Sequence, residues 1–403
     1  MLDLMKIAHQ MQGISDHLTQ EAAAARYRVE KAGRLLTQAL VHQPQLVAQL
    51  ESGRDRLGFT AACPVEPLDT HLAIPPAPSR HTVIATDGSQ ISPSHHEIAY
   101  CYLINVGRIG LHYDQSRYPI IDNQPEVVYR PEDLYLSRQW GISTEEWMGH
   151  RRTVAEAVGL ADLGEEVLSA SKQRHESAEP ILAPVLAMVD GSLIYWFLEQ
   201  MPTEARERIL PPILDAWKRL RQLDIPLVGY LSVSRSGEAL NFLRLESCPY
   251  DTPDCLNHCP GQTDRAPCQV FNPLRDVTFW ATHLSPGERS PIWRSSAPIL
   301  TVYGEHAIYF CYVHVGAEVA RVEMPAWVAE NPTLLETALS LTLTQVQKGY
   351  GYPVTLAEAH NQAVVRGGDR ARFFALLEDQ MVRAGLRNVG TSYKEARKRG
   401  SIA

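Results

Sequence analysis

The pattern that most restricts the fold of this chain is an apolar run ending in Asp-Gly-Ser, which occurs twice, 103 residues apart. Val83-Ile84-Ala85-Thr86 leads into Asp87-Gly88-Ser89, and Leu186-Ala187-Met188-Val189 leads into Asp190-Gly191-Ser192. Short apolar runs stopped by a Gly-containing turn read as buried strands, which puts each aspartate at the C-terminal end of its strand. In α/β sheets that edge is where ligands bind. Two carboxylates held side by side on adjacent strands repel, and a shared proton or a divalent cation relieves them. A divalent cation is expected between them, and hard Mg²⁺ or Mn²⁺ suits carboxylate oxygens.

The rest of the chain decides how these strands meet. Ile14, Leu18, Ala22, Ala25, Val29, Ala32, Leu36 and Leu40 recur near helical spacing and predict a helical arm within residues 1–62, a packing element or a dimer contact. Pro64, Pro67, Pro75, Pro76 and Pro78 make residues 63–80 an extended linker. Strands are predicted over 81–87, 97–106 and 109–113, then a helix over 144–172, the second Asp-Gly-Ser strand, and helices over 193–200 and 204–223. A strand over 226–231, strands near 298–303, 306–315 and 317–323, and helices over 331–349, 356–365 and 369–386 complete a domain at 81–390. A cysteine-rich insertion at 247–269 interrupts that domain, and a basic tail covers 391–403. Three antiparallel strands, a helix, and a fourth strand parallel to the first is the order of a ribonuclease H-like α/β fold, a mixed sheet flanked by helices. Strands one and four are then neighbours, and both Asp-Gly-Ser segments face one site.

Composition narrows the class. With 45% hydrophobic and 21% charged residues the chain is globular. No apolar stretch reaches the roughly eighteen residues of a membrane span, and Met1-Leu2-Asp3-Leu4-Met5-Lys6 has no secretion-signal pattern, so a cytoplasmic protein is expected. A net charge of -8 opposes indiscriminate coating of nucleic acid but permits a local basic surface. Without a G-x-x-x-x-G-K-[ST] loop, ATP hydrolysis would belong to a partner. Seven cysteines in such a chain argue against a disulfide framework. Four of them, Cys248, Cys255, Cys259 and Cys268, crowd around His258 among prolines; this soft donor set suits Zn²⁺ or an iron–sulfur cluster, with free thiols on a loop as the alternative. Ser234 and Arg235, after the strand at 226–231, are either a phosphate contact or a polar loop.

Through Val83 to Ser89, Met188 to Leu193, Gly351-Tyr352-Pro353 and Ala359-His360, the chain resembles the NurA family of DNA-repair nucleases over roughly residues 80–386. The resemblance implies a metal-dependent nuclease, typically dimeric, acting on single- and double-stranded DNA with 5′ to 3′ polarity in double-strand break repair and end resection. It also implies work beside a HerA-type hexameric ATPase. Within that resemblance Asp87 is the bridging metal ligand and Asp190 the second. A third carboxylate is expected from the helix before the fourth strand. Among Glu156, Glu165 and Glu166, Glu156, which follows Arg151-Arg152, is the choice; Glu166 stays open because residues 157–185 are longer than the usual family spacing. His360 becomes a ligand or acts on the leaving group, and Tyr352 orients phosphate or water. Glu323 is a reserve ligand. Two divalent ions about 3.5–4 Å apart would both activate a water and stabilise the leaving oxygen. The rival reading is a catalytically silent DNA-binding or scaffolding partner of a hexameric ATPase.

Overall fold

The computed structural model describes residues 3–11, 13–93, 100–173, 183–262 and 265–385, and the chain divides into two compact units. Pro75–Tyr230, Thr301–His306 and Pro325–Ala403 form the unit that carries the paired aspartates. Its strands are β1 (His81–Ile91), β2 (Tyr102–Tyr113), β3 (Ile120–Val128), β4 (Val185–Asp190) and β5 (Leu227–Leu231). The helices that matter for the site are α1 (Thr144–Gln173), α2 (Thr203–Gln222), α3 (Pro332–Lys348) and α4 (Val354–Ala363).

The sheet of this unit runs β5-β4-β1-β2-β3. β1, β2 and β3 form an antiparallel meander, β4 lies parallel to β1, and β5 lies parallel to β4. Val83, Ile84, Ala85, Leu186, Ala187 and Met188 are wholly inaccessible. Burial on both faces is why these two strands read as unbroken apolar runs rather than as alternation. α1 starts at a cap in which Ser143 Oγ accepts from the Glu146 amide at 3.1 Å. Its Ala157, Leu160, Ala161 and Val167 are buried at helical spacing. A Cβ at Gly164 would lie 3.1 Å from Leu220 of α2 and 3.6 Å from Ile84 of β1, so α1 packs between them. α4 covers the other face: Gly88 on β1 meets α1, whereas Gly107 on β2, opposite Asp87, meets α4, and neighbouring strand residues point to opposite faces.

The mixed α/β sheet flanked by helices is the expected architecture, with three local differences. β1 runs on to Ile91, so Asp87-Gly88-Ser89 is strand rather than turn. The runs expected at 97–106 and 109–113 are one strand, β2, and the third meander strand is β3 at Ile120–Val128, which the sequence reading left without structure. The strand expected near 298–303 is a single 3₁₀ segment, Pro298–Val302.

Met1–Ile74, Leu231–Leu300 and Ala307–Met324 form the other unit. Its long helix, Ile14–Gly53, buries Ala32, Leu36, Ala39, Leu46 and Leu50 in one core with Leu240, Leu243, Phe279, Trp280 and Trp293. The stripe that predicted an arm is thus used within the chain, while Ile14 and Leu18 stay exposed. Inside the expected linker, Cys63–Pro64 pairs with Trp293–Arg294 and Leu72–Ala73 with Glu288–Arg289. The basic tail at 391–403 lies outside the described residues. Among the described residues no helix is long and apolar enough to cross a membrane.

Candidate active site

The parallel register joins the two aspartates. Thr82 pairs with Val185 through Ala85 with Met188, and Asp87 and Asp190 follow two residues beyond the last pair with the same offset. The 103-residue spacing in the sequence is therefore the strand register itself. β4 ends at Asp190, and Gly191 turns away at φ +120°, while β1 continues against β2. Asp190 also pairs with Tyr230 of β5. Burial raises the Asp190 carboxyl; a hydrogen bond from Tyr352 opposes this, the charge of Asp87 adds to it, and His360 opposes it. The Tyr352 ring meets that of Tyr230 edge to face with centroids 5.8 Å apart.

Glu156 comes from α1 on the other face of the sheet. Thr86 Oγ1 donates to the Glu156 carbonyl at 2.9 Å and pins that turn of the helix to β1. Gly88 then supplies the space: a Cβ there would lie 2.6 Å from Arg152 Cγ and clash with Glu156 Oε1. Arg152 Nε stands 3.2 Å from Glu156 Oε1, and the Glu156 side chain keeps 22% of its exposure. Burial pushes the Glu156 carboxyl up to about 7, against the pull of Arg152 and with the repulsion of Asp87 and Asp190. The alternatives are engaged elsewhere. Arg219 Nε donates to Glu165 at 2.8 Å, and Glu166 lies 3.3 Å from Arg108 Nη2.

His360 is delivered by α4, whose last turn is tied to the meander. Ser89 Oγ and Asn105 Nδ2 both donate to the Ala363 carbonyl, at 2.5 and 2.8 Å, and Asn123 Nδ2 donates to the Gln362 carbonyl at 2.8 Å. Gly107 permits this approach, since a Cβ there would lie 2.5 Å from the Ala363 nitrogen and 2.9 Å from the Ala359 carbonyl oxygen. His360 Nδ1 then sits 2.8 Å from Asp87 Oδ2, with its side chain 65% exposed.

His360 meets Asp87, Tyr352 bonds to Asp190, and the charges of both aspartates act on Glu156; three carboxylates and an imidazole are donor types that suit Mg²⁺ or Mn²⁺. A divalent cation there would cancel the mutual repulsion that helps to raise Glu156 and Asp190. Among the described residues no group of three or more His, Cys, Asp or Glu side chains is placed to hold a metal ion, so these donors would have to draw closer around a cation. A cation held by Glu156 would have to displace its proton below about pH 7. Mn²⁺ affinity is expected to fall as pH drops through that value, approaching about tenfold per unit below it. Calorimetric titration between pH 6 and 8 checks this, and a flat affinity removes Glu156 from the ligand set.

The other sequence candidates lie in the second unit. Ser234 is buried, and its Oγ accepts from the Ser236 amide at 3.3 Å, whereas Arg235 is exposed. Glu323 is committed to a buried ion pair, 2.8 Å from Arg321 Nε. Cys248, Cys255, Cys259 and Cys268 are free thiols. The Cys259 amide donates to the Cys255 carbonyl at 3.1 Å, Ser247 Oγ donates to the Cys268 carbonyl at 3.2 Å, and Cys248 lies close enough to the other three thiols to feel their charge. Burial, then the neighbouring thiols, raise Cys259 and Cys248, the latter against a backbone hydrogen bond. The sequence reading passed over Gly88, Gly107 and Arg152 as parts of the site; the signal available was that both glycines fall within or beside apolar strand runs, where a glycine marks close approach.

A model of the NurA domain matches residues 81–365. The chain belongs to the NurA family. The NurA match starts at the first residue of β1, ends just beyond α4, and encloses all five residues of the site. The crystal structure of the NurA nuclease from Sulfolobus solfataricus is similar with a TM-score of 0.51 at 11% identity, covering 95% of this chain and 98% of that one. At that identity the likeness concerns the NurA fold. No curated protein matches.

Proposed function

We propose that this NurA-family chain is a divalent-metal-dependent DNA nuclease, with Asp87, Glu156, Asp190 and His360 as metal ligands. The observation that carries the reading is the parallel register of β1 and β4, whose offset Asp87 and Asp190 share where β4 ends and β1 continues. Bound Mn²⁺ or Mg²⁺ would supply an activated water and stabilise charge on the leaving oxygen. The chain's own residues do the positioning. Tyr352 holds the Asp190 carboxylate by a hydrogen bond. Asp87 fixes the His360 ring through Nδ1, which leaves Nε2 as the nitrogen that would ligate the cation. In this reading the protein acts on DNA ends with 5′ to 3′ polarity and on single strands, as a homodimer beside a HerA-type ATPase that supplies the motor this sequence lacks.

The test is degradation of labelled single-stranded and linear duplex DNA in Mn²⁺ or Mg²⁺. Wild type is expected to cleave, and Asp87→Ala and Asp190→Ala to lose at least about 10²-fold. Equal degradation by all three identifies a contaminant and overturns the site. DNA binding without cleavage by wild type, in either metal, leaves the scaffolding partner instead.

A further inference from the structure

We infer that Arg152 is the residue that grips the DNA phosphate at this site, and that it changes partner to do so: Glu156 in the free chain, a phosphate oxygen once that carboxylate turns to a cation. The inference rests on the nuclease reading above and adds a substrate contact to it. Of the adjacent pair Arg151-Arg152, helix geometry sends only one residue to the site. Arg151 Nη2 reaches Glu126 of β3 at 3.0 Å, while Arg152, one turn before Glu156, lays its stem over Gly88. A Cβ on Gly88 would come within 2.6 Å of Arg152 Cγ and 2.9 Å of Cδ, so the missing side chain admits this stem as well as Glu156. The guanidinium is thereby delivered to the stretch of β1 between Asp87 and Ser89.

Its present partner leaves it capacity to spare. The ion pair is made through Nε at 3.2 Å, the arginine side chain keeps 36% of its exposure, and a guanidinium carries five N–H donors in a planar fork that matches two phosphate oxygens. The need for such a group follows from the charge of the site. Asp87, Glu156 and Asp190 together repel a phosphodiester, and the exposed His360 is already held by Asp87. Arg152 is a permanent positive charge touching this group. Its ion pair with Glu156, made without a hydrogen bond from Nε, holds an acidic side chain beside it while no cation is present, and releasing Glu156 leaves the whole guanidinium to the substrate.

The experiment uses the full chain with Arg152→Met, which retains a stem to pack on Gly88, and Arg152→Lys, which retains charge without the fork. Three quantities are read: anisotropy of a fluorescein-labelled single-stranded oligonucleotide in Ca²⁺, Mn²⁺ binding in the absence of DNA, and the single-turnover cleavage rate in Mn²⁺. Arg152→Met is expected to weaken oligonucleotide binding about tenfold and to slow cleavage, with Mn²⁺ affinity equal to or tighter than wild type, because Glu156 is no longer held. Arg152→Lys is expected to recover part of the binding but less of the rate. Weaker Mn²⁺ binding with unchanged oligonucleotide binding overturns the proposal, since Arg152 would then only hold Glu156 in place. Binding and cleavage at wild-type levels in both variants overturn it too. Wild type that binds DNA through Arg152 yet never cleaves sinks the nuclease reading alone, because anisotropy and Mn²⁺ binding do not depend on turnover.

Discussion

Gly107→Ala is expected to slow DNA cleavage by roughly 10²-fold, the scale of effect that a displacement near 1 Å produces in a positioned catalytic group. The added Cβ meets backbone on α4, the Ala363 nitrogen at 2.5 Å and the Ala359 carbonyl oxygen at 2.9 Å, and backbone cannot rotate aside as a side chain does. α4 must therefore lift from the sheet against the hydrogen bonds of Ser89 and Asn105 to the Ala363 carbonyl. His360, three residues before that carbonyl, then loses its 2.8 Å contact with Asp87. The same overpacking should cost about 1–3 kcal/mol of stability. Gly110→Ala on the same strand is the control. Its Cβ would meet Ile120 Cβ on β3 at 3.3 Å, a milder contact that does not touch α4, so near-normal activity is expected there. Single-turnover assays and thermal melts on both variants decide the matter. A Gly107→Ala protein that cleaves and melts like wild type would show that α4 does not set the position of His360.

Gly107 and Gly88 also show where the sequence could be read and where it could not. The paired aspartates were legible because apolar runs on both strands are buried on both faces, and because a fixed register makes their separation meaningful. The roles of the glycines were not. A glycine after an apolar run looks the same whether the chain turns or a helix crosses it, and only the packing of α1 and α4 distinguishes the two. β3 was missed for a related reason. Its Asp122-Asn123-Gln124-Pro125-Glu126 segment is polar and broken by proline, which reads as loop; it is an edge strand whose outer side needs no ladder partner, so proline is tolerated opposite Asn105. The choice between Glu156 and Glu166 had no answer in spacing either. Ten residues of helix separate them by about 15 Å, and which turn crosses Gly88 depends on where Thr86 anchors the helix. Glu166 faces Arg108 instead.

Asp276→Ala is expected to destabilise the second unit by on the order of 3 kcal/mol, because three donors would be orphaned where water does not reach. The helix Glu238–Glu246 begins at Gly237, which has no side chain to cap it. Asp276, wholly buried, supplies the cap from another segment: Oδ1 accepts from the Leu240 amide at 2.9 Å, and Oδ2 from the Ala239 amide at 3.0 Å and the Tyr312 hydroxyl at 2.5 Å. Burial outweighs these donors and pushes the carboxyl up to about 6. A carboxyl raised on folding binds its proton more tightly in the folded chain, so its contribution is fully present below pH 4 and is lost as pH rises through about 6. Asp276→Asn removes that titration while keeping one acceptor for the helix amides, so it should cost less than alanine and flatten the slope between pH 4 and 6. Urea denaturation across that window, with hydrogen exchange at the Ala239 and Leu240 amides, separates the two effects. Alanine within about 0.5 kcal/mol of wild type, with both amides still protected, would mean that the helix start is held by its apolar face and not by this carboxylate.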